Sequence, residues 1–183
     1  MDVVIDVANV STLSRKASVA FFETETRNLL AAEERAGVRH HVVLSIVGVD
    51  RVDSGYYIGK RRQEALALAG PIPVTLLRVT QFHEFAAQML DKVPGPVKVA
   101  PLMVSRPVAA AELVRLAEGP AQGRATELAG PEVLKMASMM RRLAKGKLVL
   151  TVPVGKAMAN GGVLPTGDFH RGKITFEQWA ASR

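Results

Sequence analysis

A tyrosine and a lysine four residues apart are the sequence feature best suited to proton transfer. Tyr56 and Lys60 are expected on one helix face, because residues at i and i+4 are neighbours on a helix surface. A free phenol, with a pKa of about 10, exchanges protons poorly near neutrality, whereas a neighbouring ammonium lowers that pKa by stabilising the phenolate. Ser45 precedes the pair and could hydrogen-bond the same carbonyl oxygen. The pattern predicts Tyr56 as the acid or base of a carbonyl reaction.

These residues also have structural interpretations. Ser45 can cap a strand end, Tyr56 and Lys60 can form an exposed helix start, and Asn9 can complete a turn. Tyr57 has Arg61 four residues later, so Tyr56 is the preferred acid.

The residue types of the chain argue against several other kinds of catalysis. The chain has no cysteine, which excludes disulfides, thiolate nucleophiles and cysteine-based metal sites. His83 and Glu84 lack the second histidine of a metalloprotease helix, and His40 and His41 flank an expected strand start. No metal site is predicted.

Strands and helices alternate through the first half of the chain. Short apolar runs predict buried strands at Val3–Val7, His41–Ile46 and Val74–Val79, separated by helices over residues 17–36 and 56–69, and a third helix follows over residues 81–90. Such a βαβαβ unit has right-handed crossovers and a parallel sheet, and is half of a doubly wound, Rossmann-like α/β fold.

Ligands of open parallel sheets bind beyond the carboxyl ends of the strands. Three segments occupy such positions, and we expect them at one edge of the sheet: Ala8 with Asn9, Ser45, and Thr80 with Gln81 and Phe82.

The second half has a looser pattern. It predicts one or two short strands over residues 97–104, helices over 107–118 and 131–145, strands at 125–129 and 148–152, an irregular loop over 155–172 and a last helix over 175–181. We therefore expect a dinucleotide-type region over residues 1–93 and a small mixed α/β, substrate-side region over residues 94–183.

Composition favours a cytoplasmic, enzyme-like protein. Hydrophobic residues form 48% of the chain, and no apolar run approaches the roughly 20 residues of a membrane span. The start lacks a signal-peptide pattern. The net charge of +7 comes from dispersed basic residues without interleaved aromatic ones, so we expect a small-molecule substrate and neither nucleic acid nor membrane as a partner.

Several stretches resemble a known family. DVVIDVANVST, FFETETRNLLAAEERAGVRHHVVLSIVG, SGYYIGKRRQE and PVTLLRVTQFHEF are similar to segments of NmrA-like atypical short-chain dehydrogenases/reductases, closely over residues 1–90 and weakly beyond. The resemblance implies a reductase, or a redox-sensing regulator, that binds NADP or NAD and takes a small organic carbonyl or quinone-like substrate.

The resemblance also implies site roles. Ser45, Tyr56 and Lys60 match the active-site pattern, with Lys60 also binding the cofactor ribose. Ala8 and Asn9 match the stretch that borders the adenosine side of the cofactor. The stretch beside the nicotinamide and substrate is matched by Thr80, Gln81 and Phe82.

The 183 residues contain no glycine-rich GxxGxxG motif of the kind that holds the pyrophosphate. We therefore expect weak or no NAD(P)H binding by this chain, and keep open a non-catalytic interpretation: a truncated relative or a regulatory binding module. Without an upstream neighbour, the Val3–Val7 strand would be an apolar sheet edge, which predicts self-association through it.

Overall fold

The structure is a computed structural model that describes residues 2–12, 14–92, 95–101, 103–105 and 112–182. The first elements are β1 (Val3–Asp6), α1 (Arg15–Arg35), β2 (His40–Ile46), α2 (Gly55–Ala69), β3 (Val74–Val79) and α3 (Glu84–Lys92). The following elements are β4 (Val97–Pro101), β5 (Val104–Ser105), α4 (Glu112–Glu118), β6 (Gly123–Arg124), β7 (Glu127–Ala129), β8 (Leu134–Lys135), α5 (Met136–Leu143), β9 (Leu148–Val152), α6 (Lys156–Ala159), β10 (Phe169–Arg171) and α7 (Phe176–Ala181).

The chain forms two compact units. The first contains Met1–Val79 and Ala111–Glu127, and the second contains Thr80–Ala110 and Leu128–Arg183. The first unit therefore ends its first stretch at Val79, before the expected boundary at residue 93, and it also includes the later segment Ala111–Glu127. The assignment of residues 94–183 to a substrate side stays a prediction.

The first unit contains a parallel sheet. β1 pairs with β2, β2 with β3, and β3 with β6, all in parallel. The helices α1 and α2 are the crossovers between the first three strands and pack against each other. The predicted α/β fold with a parallel sheet is confirmed.

The end of α1 follows the predicted pattern closely. Gly37 has a left-handed φ of 66°, and its N–H donates to the Glu34 carbonyl, while the Val38 N–H donates to the Glu33 carbonyl. These are the two hydrogen bonds of a Schellman motif. Val38 then packs in an apolar cluster with Leu30, so the turn directs the chain into β2.

The first strand differs from its prediction. The strand predicted at Val3–Val7 was expected to be buried, but Ile5 is 38% exposed and Val7, which follows β1, is 54% exposed. Among the described residues of the first unit, β1 pairs with β2 alone, and an edge strand has fewer neighbours to cover it. The expectation of full burial is wrong, while self-association through this edge stays a prediction.

The described residues of the second unit form three short strand pairs. β4 pairs with β9 in parallel, β5 pairs with β8 antiparallel, and β7 lies beside β10. The strands at 97–104 and 148–152 and the last helix are as predicted. Thr175 caps that last helix through a reciprocal capping box with Gln178.

Several predicted boundaries in this half are wrong. α5 begins at Met136 rather than Pro131, because Leu134 and Lys135 pair with β5 and the Met136 N–H donates to Met103. α3 begins at Glu84 rather than Gln81, and the expected loop over 155–172 holds α6 and β10. The predicted helix start at Pro107 lies outside the described residues. Within the described part of the chain, no helix has the length and apolar character needed to cross a membrane.

Candidate functional site

Lys60 is a buried ammonium between α2 and the end of β2. Its Nζ donates to the Leu44 carbonyl at 2.6 Å and to the Gln63 side-chain oxygen, and it lies 4.8 Å from the centroid of the Phe22 ring. Only 3% of the residue is exposed. Burial lowers the pKa of Lys60 to about 8, against the opposing effect of nearby carboxylates such as Asp6. Lys60 is therefore mostly protonated at neutral pH and loses its proton at mildly alkaline pH.

A chain of hydrogen bonds connects Lys60 to the turn after β1. The Gln63 amide nitrogen donates to Asp6 Oδ2 at 2.7 Å, and Asp6 Oδ1 accepts from the Ala8 N–H at 2.8 Å. Two predicted cofactor-binding residues, Lys60 and Ala8, are thus joined by two residues that the sequence reasoning missed. Asp6 was detectable, because a carboxylate inside an apolar strand needs a buried partner. Gln63 carried no such signal.

Tyr56 lies on the same face of α2 as Lys60, since both contact Phe22. The two rings meet edge to face with centroids 5.8 Å apart. Burial raises the pKa of Tyr56 to about 12, so the expectation that Lys60 lowers this pKa is wrong: loss of hydration outweighs any effect of the ammonium. The phenol stays protonated near neutrality, and its role as proton donor stays a prediction.

Ser45 is bound to a carboxylate. Its hydroxyl donates to Glu64 Oε1 at 2.6 Å, and Glu64 also accepts from Arg78 Nε at 2.8 Å and from Arg124 Nη1 at 3.2 Å. Asp50 forms a second ion pair with Arg78 at 2.6 Å. Ser45 is 2% exposed, so its hydroxyl is part of a buried ionic network rather than directed at Tyr56.

Gly59 lets the two helices approach closely. A Cβ at this position would overlap the Ser18 hydroxyl and lie 2.8 Å from Phe22 and 2.9 Å from the Ser18 carbonyl carbon. The absence of a side chain at Gly59 therefore places the Phe22 ring against both Tyr56 and Lys60.

The remaining predicted residues lie in two places. Ala8 is half-buried and Asn9 is exposed after β1, in the first unit. Thr80, Gln81 and Phe82 belong to the second unit, where Thr80 is buried and its N–H donates to the Leu128 carbonyl at 3.0 Å. Gln81 and Phe82 are half-buried. Cofactor contact by these five residues stays a prediction.

The buried histidines have structural partners. His41 Nδ1 lies 2.9 Å from Glu33, and His40 Nε2 lies 2.8 Å from Thr75 Oγ1. His83 stacks on Trp179 with ring centroids 5.5 Å apart, and its Nε2 donates to the Ile174 carbonyl at 3.2 Å. Among residues the structure describes, no group of three or more histidine or acidic side chains is placed to hold a metal ion.

No protein-family model matches the chain, and no curated protein matches it. Solved structures match at low sequence identity. An NADPH-dependent quinone oxidoreductase from Escherichia coli, in complex with NADPH, gives a TM-score of 0.67 at 18% identity, over 98% of this chain and 74% of that one. A nucleoside-diphosphate-sugar epimerase from Staphylococcus aureus gives 0.64 at 14% identity, over 98% and 76%. A UDP-galactose 4-epimerase gives 0.61 at 15% identity, over 96% and 68%.

These likenesses establish the fold. The chain has a Rossmann-like α/β architecture.

Proposed function

We propose that this protein is an NAD(P)H-dependent oxidoreductase of the NmrA-like type that reduces a small organic carbonyl or quinone-like substrate. The observation that carries the proposal is the Lys60–Gln63–Asp6–Ala8 hydrogen-bond chain at the carboxyl ends of β1 and β2. Ligands of this fold class bind at such strand ends. The hydrogen-bond chain joins Asp6 and Ala8, at the end of β1, to Gln63 and Lys60 on α2. Lys60 Nζ also donates to the Leu44 carbonyl of β2.

The hydrogen-bond donors of these residues suit the nicotinamide ribose of a cofactor better than its pyrophosphate. An ammonium has three donor hydrogens, and Lys60 donates to Leu44 and Gln63, which leaves one hydrogen for a ribose hydroxyl. A pyrophosphate is normally held by N–H groups of a glycine-rich turn, and the 183 residues contain no GxxGxxG motif. In the proposal, these residues therefore hold the nicotinamide ribose, and the cofactor supplies the hydride when bound.

The protonation state of Tyr56 favours the reductive direction. With its pKa raised to about 12 by burial, the phenol is neutral and can donate a proton to the oxygen of a carbonyl or quinone as that oxygen gains negative charge. We expect Tyr56→Phe to lower turnover by about 10²–10⁴-fold, the usual effect of losing a general acid. Full turnover by Tyr56→Phe would remove Tyr56 from the reaction.

Calorimetry with the two halves of the cofactor tests the proposed site. We expect NADPH to bind more weakly than about micromolar, because few contacts offset the ordering of a long ligand. Reduced nicotinamide mononucleotide should bind about as well as NADPH, and Lys60→Met should abolish both while the exposed control Lys16→Met retains them. Tight NADPH binding that survives Lys60→Met, or binding of 2′,5′-ADP alone, would contradict the proposal.

A non-catalytic module is the second candidate, and the Ser45 contact favours it. The Ser45 hydroxyl already donates to Glu64, so carbonyl binding would require this buried bond to break. Single-turnover hydride transfer to a panel of quinones and aldehydes distinguishes the two functions. Ligand binding without any transfer would support the regulatory module.

A further inference from the structure

The two-stranded sheet of β4 and β9, in the second unit, has one covered and one bare face. α3 and α5 pack against these strands, and Lys98 and Val149 are buried on the covered side, where Lys98 Nζ donates to the Leu90 carbonyl at 2.9 Å. Directly paired residues of adjacent strands point to the same side of a sheet. The other side, here called the aliphatic face, therefore carries the pairs Val97–Leu148, Val99–Leu150 and Pro101–Val152.

The aliphatic face is exposed to an unusual degree. Leu148 is 58% and Leu150 49% exposed, and Val97 and Val152 are exposed as well. Isolated exposed aliphatic residues are common on protein surfaces, whereas a contiguous apolar patch marks an interaction site.

The segment that leads into and follows β9 is basic, although one of its arginines, Arg142, is paired with Glu177. From Arg141 to Asn160 the sequence contains five basic residues and no acidic one. Lys145 and Lys147 lie one to three residues before β9 and are exposed. They line a small cavity of about 150 Å³ with Lys98 and Asp91. Lys98 is buried on the covered side, so two exposed lysines against one exposed aspartate leave this end of the face positively charged.

We propose that the aliphatic face with its flanking lysines binds the surface of an anionic phospholipid bilayer. Aliphatic side chains enter the boundary between headgroups and acyl chains, and lysines at the rim are attracted to acidic headgroups. A second copy of the chain would bring two positive rims together, and nucleic acid would require aromatic stacking groups, which the face lacks. This proposal replaces the expectation from composition that a membrane is not a partner. The contact is peripheral rather than membrane-spanning, and it is independent of the proposed cofactor site.

Co-sedimentation of the full chain with lipid vesicles tests the proposal. We expect binding to phosphatidylcholine vesicles that contain about one third phosphatidylserine, little binding to phosphatidylcholine alone, and release at high salt. Lys145→Gly and Lys147→Ala should each weaken binding about fivefold. Lys145 has a left-handed φ of 48°, so glycine removes the charge without straining the backbone.

The double variant Leu148→Ser, Leu150→Ser should abolish binding. A control double variant at exposed valines away from this face, Val114→Ser with Val133→Ser, should bind as the wild type does. Equal binding to both vesicle types, or unchanged binding by the Leu148 and Leu150 variant, would overturn the proposal. A dimer in light scattering that this variant converts to a monomer, with no vesicle binding, would identify a second copy as the partner instead.

Discussion

Lys60 and Glu64 are one turn apart on α2, and both are buried, yet their charges are compensated very differently. Glu64 accepts hydrogen bonds from Ser45 and from two guanidinium groups, those of Arg78 and Arg124. Lys60 donates to the Leu44 carbonyl and to the Gln63 amide oxygen. The carboxylate of Asp6 is connected to Lys60 through the side chain of Gln63. Removing one partner of a buried ion pair is strongly destabilising, whereas the Lys60 ammonium, whose direct partners are neutral, has its pKa lowered by burial.

The largest effect on stability is expected at Glu64. Glu64→Ala should lower the free energy of unfolding by about 3 kcal/mol, because it leaves the mostly buried Arg78 guanidinium with fewer partners. Urea denaturation measures the loss. Glu23, which forms an ion pair with Arg62 at the surface, is the control, and Glu23→Ala should lose less than about 1 kcal/mol. Equal losses of unfolding free energy in the two variants would mean that the buried Glu64 stabilises the fold no more than the surface residue Glu23.

The free energy of unfolding should depend on pH through the lowered pKa of Lys60. Its pKa falls from 10.5 to about 8 on folding, so the unfolded chain binds more protons between these values, and stability rises with pH across this window by up to about 3 kcal/mol. Below pH 8 the full penalty of the buried charge is present. Lys60→Met should remove the rise, and Lys16→Met should keep it.

Above pH 10, Tyr56 should make the free energy of unfolding fall as the pH rises. Burial raises its pKa from 10.0 to about 12, so the unfolded phenol loses its proton first and stability falls with pH in that range. Thermal denaturation at closely spaced pH values should therefore show a maximum near pH 10. A flat profile from pH 8 to 10 would contradict the burial of Lys60.

The substitution Gly59→Ala should change the surroundings of Lys60 more than those of Glu64. Gly59→Ala forces α1 and α2 apart at Ser18, and overpacking of this kind destabilises by about 1–3 kcal/mol. Gly167 has no atom within 4 Å of an added Cβ, so Gly167→Ala is the matched control. Lysine side-chain NMR should show a changed Lys60 pKa in Gly59→Ala, and an unchanged pKa would mean that the helix contact does not set it.

Ser45 should give the smallest effect. Ser45→Ala removes one of several hydrogen bonds to Glu64 and should lower the free energy of unfolding by about 1 kcal/mol. Ser45→Thr, which retains a hydroxyl, should recover part of it. If Ser45→Ala is neutral in stability but lowers turnover, the hydroxyl serves the substrate rather than Glu64.

The sequence by itself determined the alternation of strands and helices and most of their limits. β3 matches its predicted range, and α1, α2 and β2 match theirs within two residues, because hydrophobic period and capping residues such as Gly37 act over a few neighbouring positions. The joint placement of Tyr56 and Lys60 on one helix face followed from their spacing, for the same reason. The starts of α3 and α5 were missed, since the pairing of Leu134 and Lys135 with β5 is a distant contact.

The tertiary structure alone decided what each polar side chain contacts. Ser45 has Glu64, nineteen residues away, as its partner, and Gln63 reaches Asp6 across fifty-seven residues. The pKa of Tyr56 rises rather than falls because the phenol is buried, and the surroundings that bury it include Phe22, which lies on another helix. Local periodicity states which face of an element is apolar, but burial and hydrogen-bond partners arise only when distant segments meet, and those contacts set the charges at the candidate site.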